Sequence, residues 1–326
     1  MNILELLEAR NNSKRNKMLY FRQTVDSILE KVEGKILVVF DTETSGLSVH
    51  LPWVQVTEIA AVAFDMNTGQ EIDRFHSKIR LTPATRAEIA KQERNQRPNS
   101  TPDVKDGDRG SLEGPKGMAI RDLFKMSGYG DPNAPFGEIR QVYTDWVNWL
   151  NKFNGPILLG QNVGFDMGHM FAPLAKLGIK RPNIGEVLDT MTLARTWIYP
   201  LLKSAGAAGD QVSAQMAAGF EVPQARGGTR LSFTLGKLGD VFGVAAGHWH
   251  SGISDAMQTY EIFSKMLEVL RQSKEHGHDQ SDTFKNWHTK MSGQAFTYGK
   301  RPAFQSTIDS DTKKGIKARR APRLPQ

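Results

Sequence analysis

The six residues KILVVF, positions 35–40, constrain the fold of this chain more than any other feature. The run is continuously apolar, rich in β-branched residues and too short for a buried helix. It therefore predicts a strand buried on both faces and ending at Asp41. Downstream, VTEIAAVAFD and EIDRFHSKIR flank Asn67-Thr68-Gly69, which predicts an antiparallel hairpin around a glycine-containing turn. In EIRQVYTDWVNWLNKF the residues Ile139, Val142, Trp146, Trp149 and Leu150 fall on one face of a helix. GPILLG predicts a second buried strand, followed by a helix over about 166–177. A short strand over 184–188 precedes a helix starting near Asp189. LSFTLGKLGDVFG reads as a helix capped by Ser232 and stopped by Gly243, and residues 254–272 form the last core helix. The succession describes a mixed α/β domain of about 240 residues.

Between these segments the pattern weakens. Residues 83–117 are rich in Pro, Gly and charge and are expected to be a loop insertion. A second insertion is expected over 200–230, where small residues dominate. Residues 1–32 are expected as a helical N-terminal extension and 273–326 as an irregular C-terminal one. The last fifteen residues hold six Lys/Arg and no acid, so six of the seven net positive charges sit in this tail. Such a tail suits a polyanionic partner. No stretch approaches the roughly 20 apolar residues of a membrane-spanning helix, and the N-terminus lacks the apolar region of a signal peptide. A cytoplasmic protein with no membrane partner is expected.

Three islands place acids where strands end or helices begin. In Asp41-Thr42-Glu43, carboxylates two residues apart on a strand project to the same side. Gly160-Gln161-Asn162-Val163-Gly164-Phe165-Asp166 follows the second strand. His248-Trp249-His250-Ser251-Gly252-Ile253-Ser254-Asp255 opens the last core helix. Singly, each has a plain structural explanation: acids at a strand exit, a helix N-cap at Asp166, and dipole complementarity at Asp255. The chain has no cysteine, so a metal held here must be bound by oxygen or imidazole, which favours a hard cation.

Taken in order, D-x-E, N-x-x-F-D and H-x4-D resemble the DEDDh (DnaQ-like) exonucleases of the RNase H-like superfamily. That family includes the proofreading ε subunit of bacterial DNA polymerase III and ribonuclease T. VVFDTETSGL, VTEIAAV, GQNVGFD, LDTMTLAR, FTLGKLGDVFG and SDAMQTYEIF carry the resemblance, over residues 35–82 and 118–272. Ser251 departs from the tyrosine branch of the superfamily, and the H-x4-D spacing selects His250 over His248.

The resemblance implies an RNase H-like mixed sheet flanked by helices, with the exonuclease domain spanning 33–272. It implies a two-metal site for Mg²⁺ or Mn²⁺ in which Asp41 bridges both ions. Glu43 and Asp255 would complete the site of the ion that carries the attacking water, Asp166 would support the second ion, and His250 would be the general base. Thr44, Ser45, Gly46 and Leu47 would hold the 3′ end from one side, Leu47 as a wedge, with Asn162 and Phe165 on the other. Glu58 occupies a family-typical hairpin position and receives no role. Single-stranded DNA is the expected substrate, with RNA as the alternative. A polymerase or other replication protein is the expected partner if the chain is a proofreading subunit. A non-catalytic nucleic-acid binder on this fold would have lost carboxylates, and all are present here.

Overall fold

The computed structural model describes residues 25–95, 135–224, 227–245 and 252–298. The first expected helix, most of the 83–117 segment, His248, His250 and the basic tail lie outside the described residues.

KILVVF becomes the core of β1 (Ile36–Thr44), and the hairpin follows as β2 (Val56–Asp65) and β3 (Gln70–Ile79). With β4 (Phe136–Gly137), β5 (Ile157–Gly160) and β6 (Val187–Asp189) they form one six-stranded sheet, ordered β4-β3-β2-β1-β5-β6. Only β2 runs against the other five strands. This is the mixed α/β sheet, covered by helices on both faces, that the sequence predicted.

The alternation along β1 divides the core in two. Leu37 and Val39 point into one apolar layer, shared with Val62 and Phe64 of β2. Val38 and Phe40 point into the other, shared with Ile59, Ala61 and Ala63. The first layer is closed by the long helix α9 (Gly252–Glu275) through Ala256, Ile262, Phe263, Met266 and Leu270. The second is closed by α3 (Ile139–Asn151), whose Val142, Tyr143, Trp146 and Leu150 are buried, and by α4 (Val163–Lys176).

Several expectations are corrected. Residues 83–95 are not loop but helix α2 (Pro83–Asn95). The Thr85 N–H bonds to Thr82 Oγ1, and Pro83 takes the first helical position, where its missing N–H costs nothing. Much of the 200–230 segment is likewise ordered. After α5 (Thr190–Leu193) and a π-helical turn come α6 (Tyr199–Ala207), α7 (Gln211–Gly219), and a small hairpin of β7 (Glu221–Pro223) and β8 (Thr229–Leu231). Small residues serve packing here: a Cβ on Gly206 would sit 2.9 Å from Ala214 Cα, so α6 and α7 meet almost backbone to backbone.

The cap of α8 (Leu235–Phe242) is Thr234 rather than Ser232, whose N–H instead bonds to Phe220 O; Gly243 ends the helix at φ 65° as expected. Two pieces of the expected extensions pack into the first core layer. These are α1 (Val25–Val32), through Val25, Ile28 and Val32, and α10 (Asp282–Tyr298), through Phe284 and Met291. No helix among the described residues is long and apolar enough to cross a membrane.

Candidate active site

The acids gather at the carboxyl ends of the parallel strands β1, β5 and β6, the edge where open α/β sheets commonly bind ligands. Asp41 and Glu43 continue the Leu37–Val39 face and so point toward α9. Asp255, in the first turn of α9, meets them there. One carboxylate oxygen from each of the three lies within 4.8 Å of the others. The β1–β2 register slips between Glu43 and Thr44, a bulge where the chain leaves the sheet.

Thr42 points the opposite way, into the second layer, where it finds Asp166. Its hydroxyl donates to Asp166 Oδ1 at 2.6 Å and its N–H to the same oxygen at 3.1 Å. Asp166 is therefore no helix cap. It is 4% exposed, and the cap position of α4 belongs to Asn162. Asn162 adopts φ 57°, a left-handed conformation that asparagine tolerates better than most residues. Its N–H donates to Asp189 Oδ1 at 2.9 Å. Asp189 also accepts from Met191 N–H and the Thr192 hydroxyl, so it ties the end of β6 to the turn carrying Asn162.

The electrostatics of this group are one-sided. Burial raises Asp41 well above the usual carboxylate range, and Asp166, Glu43, Asp255 and Glu58 push it the same way. Burial, then Glu58 and Asp166, bring Glu43 up to about 7. Burial raises Asp166 to about 6 against the two Thr42 hydrogen bonds, which favour its charged form. Thr42→Val should consequently push Asp166 above about 6, because the hydroxyl donor is lost while the backbone donor remains. A carbon-13 NMR titration of the metal-free protein would read this directly, and an unmoved Asp166 would discard the hydroxyl as the cause.

The segment after Glu43 folds tightly. Thr44 Oγ1 donates to Gly46 O at 2.9 Å, while the Ser45 hydroxyl reaches Trp53 O and accepts from Gln55 N–H. A Cβ on Gly46 would meet Val54 and Trp53 atoms at 2.7–2.9 Å. Gly46 is thus required by close approach, and Ser45 braces the loop from within. Leu47 stands out from it, 50% exposed. Phe165 packs against the buried ring of His169, centroids 4.3 Å apart.

Thr42, Asp189, Gly252 and Glu58 were not singled out from sequence as site residues. Thr42, Glu58 and Asp189 do fall inside the family-like segments VVFDTETSGL, VTEIAAV and LDTMTLAR, and Gly252 inside the third island.

No protein-family model matches this sequence. Over 124 residues, 38% of this chain, it is 29% identical to a DNA polymerase III PolC-type protein of Caldanaerobacter subterraneus subsp. tengcongensis, of which the match covers 7%. Among solved structures, E. coli exonuclease I in complex with a dT13 oligonucleotide superposes with a TM-score of 0.46 at 14% identity, over 73% of this chain and 42% of that one. A product-bound exonuclease I gives 0.48 at 11% identity, over 75% and 46%. A 3′-exonuclease described in 3′-end recognition of a histone mRNA stem-loop gives 0.40 at 15%, over 82% and 75%. The chain spans less than half of those exonuclease I chains and a small part of the polymerase.

Proposed function

We propose that the protein is a metal-dependent 3′→5′ exonuclease that hydrolyses single-stranded DNA from its 3′ end. The observation that carries this reading is the convergence of Asp41, Glu43 and Asp255 oxygens within 4.8 Å, with Asp166 acting on the same Asp41. The residues fit a hard divalent cation. The donors are all carboxylate oxygens, and their mutual repulsion is what a bound positive charge relieves. Asp41, Glu43 and Asp255 would hold one Mg²⁺ or Mn²⁺, with Asp41 shared by a second ion supported by Asp166. Bound divalent cations supply Lewis-acid stabilisation of the charge that grows on a phosphodiester under attack.

The protein's own groups do the rest. Thr42 favours the ionised, ligand-competent form of Asp166 against the effect of burial. Leu47 offers an apolar surface to the terminal base, and Asn162 and Phe165 flank the chain across from it. His250, whose unperturbed pKa of about 6.5 suits proton abstraction near neutrality, takes the proton of the attacking water. The stretch shared with a PolC-type polymerase favours DNA as substrate and a replication protein as partner.

The test is degradation of 5′-labelled single-stranded DNA and of the matching RNA. A ladder shortening from the 3′ end, present with Mg²⁺ or Mn²⁺ and abolished by EDTA, is expected. Activity that survives EDTA would sink the metal mechanism, and faster loss of RNA would overturn the DNA preference.

A further inference from the structure

Glu58 is an unusual residue to find beside four acids. It lies on β2 directly across from Glu43 and is 3% exposed. Yet its carboxylate is not part of the group whose oxygens converge, which consists of Asp41, Glu43 and Asp255. Its Oε1 is engaged elsewhere. The Gly252 N–H donates to it at 3.2 Å across 194 residues of sequence, and His76 Nε2 lies 2.9 Å from the same atom. Oε2 lies 3.9 Å from Lys78 Nζ. The neighbouring strand β3 therefore supplies both basic side chains to Glu58, while its first oxygen also faces the start of α9.

Gly252 shows how closely that start is held. A Cβ there would fall 2.7 Å from Ala60 Cβ, 3.2 Å from Glu58 Oε1 and 3.8 Å from Asp41 Oδ2. Ala60 is the cross-strand partner of Asp41. The helix thus begins against β2 at a point where both contacting residues are the smallest available, Gly on one side and Ala on the other. Asp255 sits less than one turn further along. A free N–H at a helix start is a donor without an intrahelical partner, and Glu58 satisfies this one from the neighbouring strand.

We propose that Glu58 is a positioning residue that, by accepting the Gly252 N–H, sets the Asp255 carboxylate at binding distance from Asp41 and Glu43. This rests on the reading of those three acids as a divalent-metal site. In this role Glu58 acts through a hydrogen bond to backbone, so its acceptor atom, rather than the charge it also exerts on Asp41 and Glu43, sets the place of Asp255. Charge and position are separable, because Glu58→Gln keeps the acceptor and removes the charge, whereas Glu58→Ala removes both.

The experiment measures Mn²⁺ affinity of the full chain by calorimetry, with metal-free thermal unfolding as a check on folding. Glu58→Ala is expected to bind Mn²⁺ at least about tenfold more weakly than the parent, the scale seen when outer-sphere support of a metal ligand is lost. Glu58→Gln is expected to stay within about threefold of the parent, a difference too small to reflect a displaced ligand. Gly252→Ala, which leaves Glu58 intact but pushes the helix start away, should weaken Mn²⁺ binding as Glu58→Ala does. If Glu58→Ala does not fold, the Gly252→Ala and Glu58→Gln pair carries the test. Equal weakening in the Gln and Ala variants would overturn the proposal in favour of simple charge attraction. Parent-like affinity in Glu58→Ala or in Gly252→Ala would overturn it outright. Should the parent itself bind Mn²⁺ no better than Asp41→Asn, the metal-site reading falls, and the positioning role with it.

Discussion

Asp41→Asn is expected to abolish turnover while making the metal-free protein more stable. Asp41 is the acid on which the others act: Asp166, Glu43, Asp255 and Glu58 all raise it, on top of its burial. Its carboxylate is therefore costly to the fold, and the proposed metal site depends on it. Loss of one transition-state contact typically costs about 10²–10³-fold in rate, and a residue shared by two ions should exceed that. The amide has nearly the same shape and no charge to repel, so unfolding in EDTA at pH 8 should move to higher temperature. Single-turnover degradation of labelled DNA and thermal unfolding of the same preparation check both halves. Near-normal turnover would refute the site. A lower unfolding temperature would show that Asp41 makes structural contacts outweighing the repulsion.

A second large effect is expected with pH. Without metal, the protein should lose stability as pH rises from about 4 to above 7. The sign follows from the direction of the shifts. Glu43 and Asp166 have folded values of about 7 and about 6, above their ordinary values of 4.5 and 3.8. In that interval the folded state holds more protons than the unfolded one. The stabilisation is complete below the unfolded values and disappears as pH climbs through the folded ones. For Glu43 alone the difference is on the order of 3 kcal/mol. Mg²⁺ or Mn²⁺ should restore much of it at pH 8, since a ligand at one hundred times its Kd contributes about 2.7 kcal/mol. Unfolding curves at pH 5 and pH 8, each with EDTA and with excess Mg²⁺, measure this. Stability that ignores pH in EDTA would mean the acids are far better solvated than their burial implies.

Much of this architecture was legible because it follows local rules. The β1 strand, the hairpin around Asn67-Thr68-Gly69, the Trp146–Leu150 helix face and the stop at Gly243 are each encoded within a dozen residues. The pairing of Asp41 with Glu43 came from the two-residue strand period alone. What escaped notice was encoded between distant segments. The Gly- and Ala-rich 200–230 stretch resembles a loop by composition, but Gly206 against Ala214 is a helix–helix contact that exists only after folding. Residues 83–95 did carry a local sign, the Thr82-Pro83 helix start, hidden by the charged residues that follow. Thr42 is hard to read from sequence because its side chain leaves the strand on the face away from Asp41 and Glu43 and meets Asp166, 124 residues on. Gly252, which has no role in the sequence pattern, is a close-packing residue in the fold. Glu58 stands at a recognisable hairpin position, but its role is illegible locally because its partner lies 194 residues away.

The acids also reach the cluster from both sides of the sheet, Asp41, Glu43 and Asp255 from the α9 layer and Asp166 from the layer beneath. A ribosome delivers these parts in sequence, and Asp255 emerges long after β1, β2 and β5 have left the exit tunnel. Domains fold largely as units during synthesis, and pairings between distant segments come late. Until α9 has been made, the proposed ligand set lacks Asp255. On the proposed reading, a divalent cation would find its full set of carboxylates only once α9 has docked on the sheet.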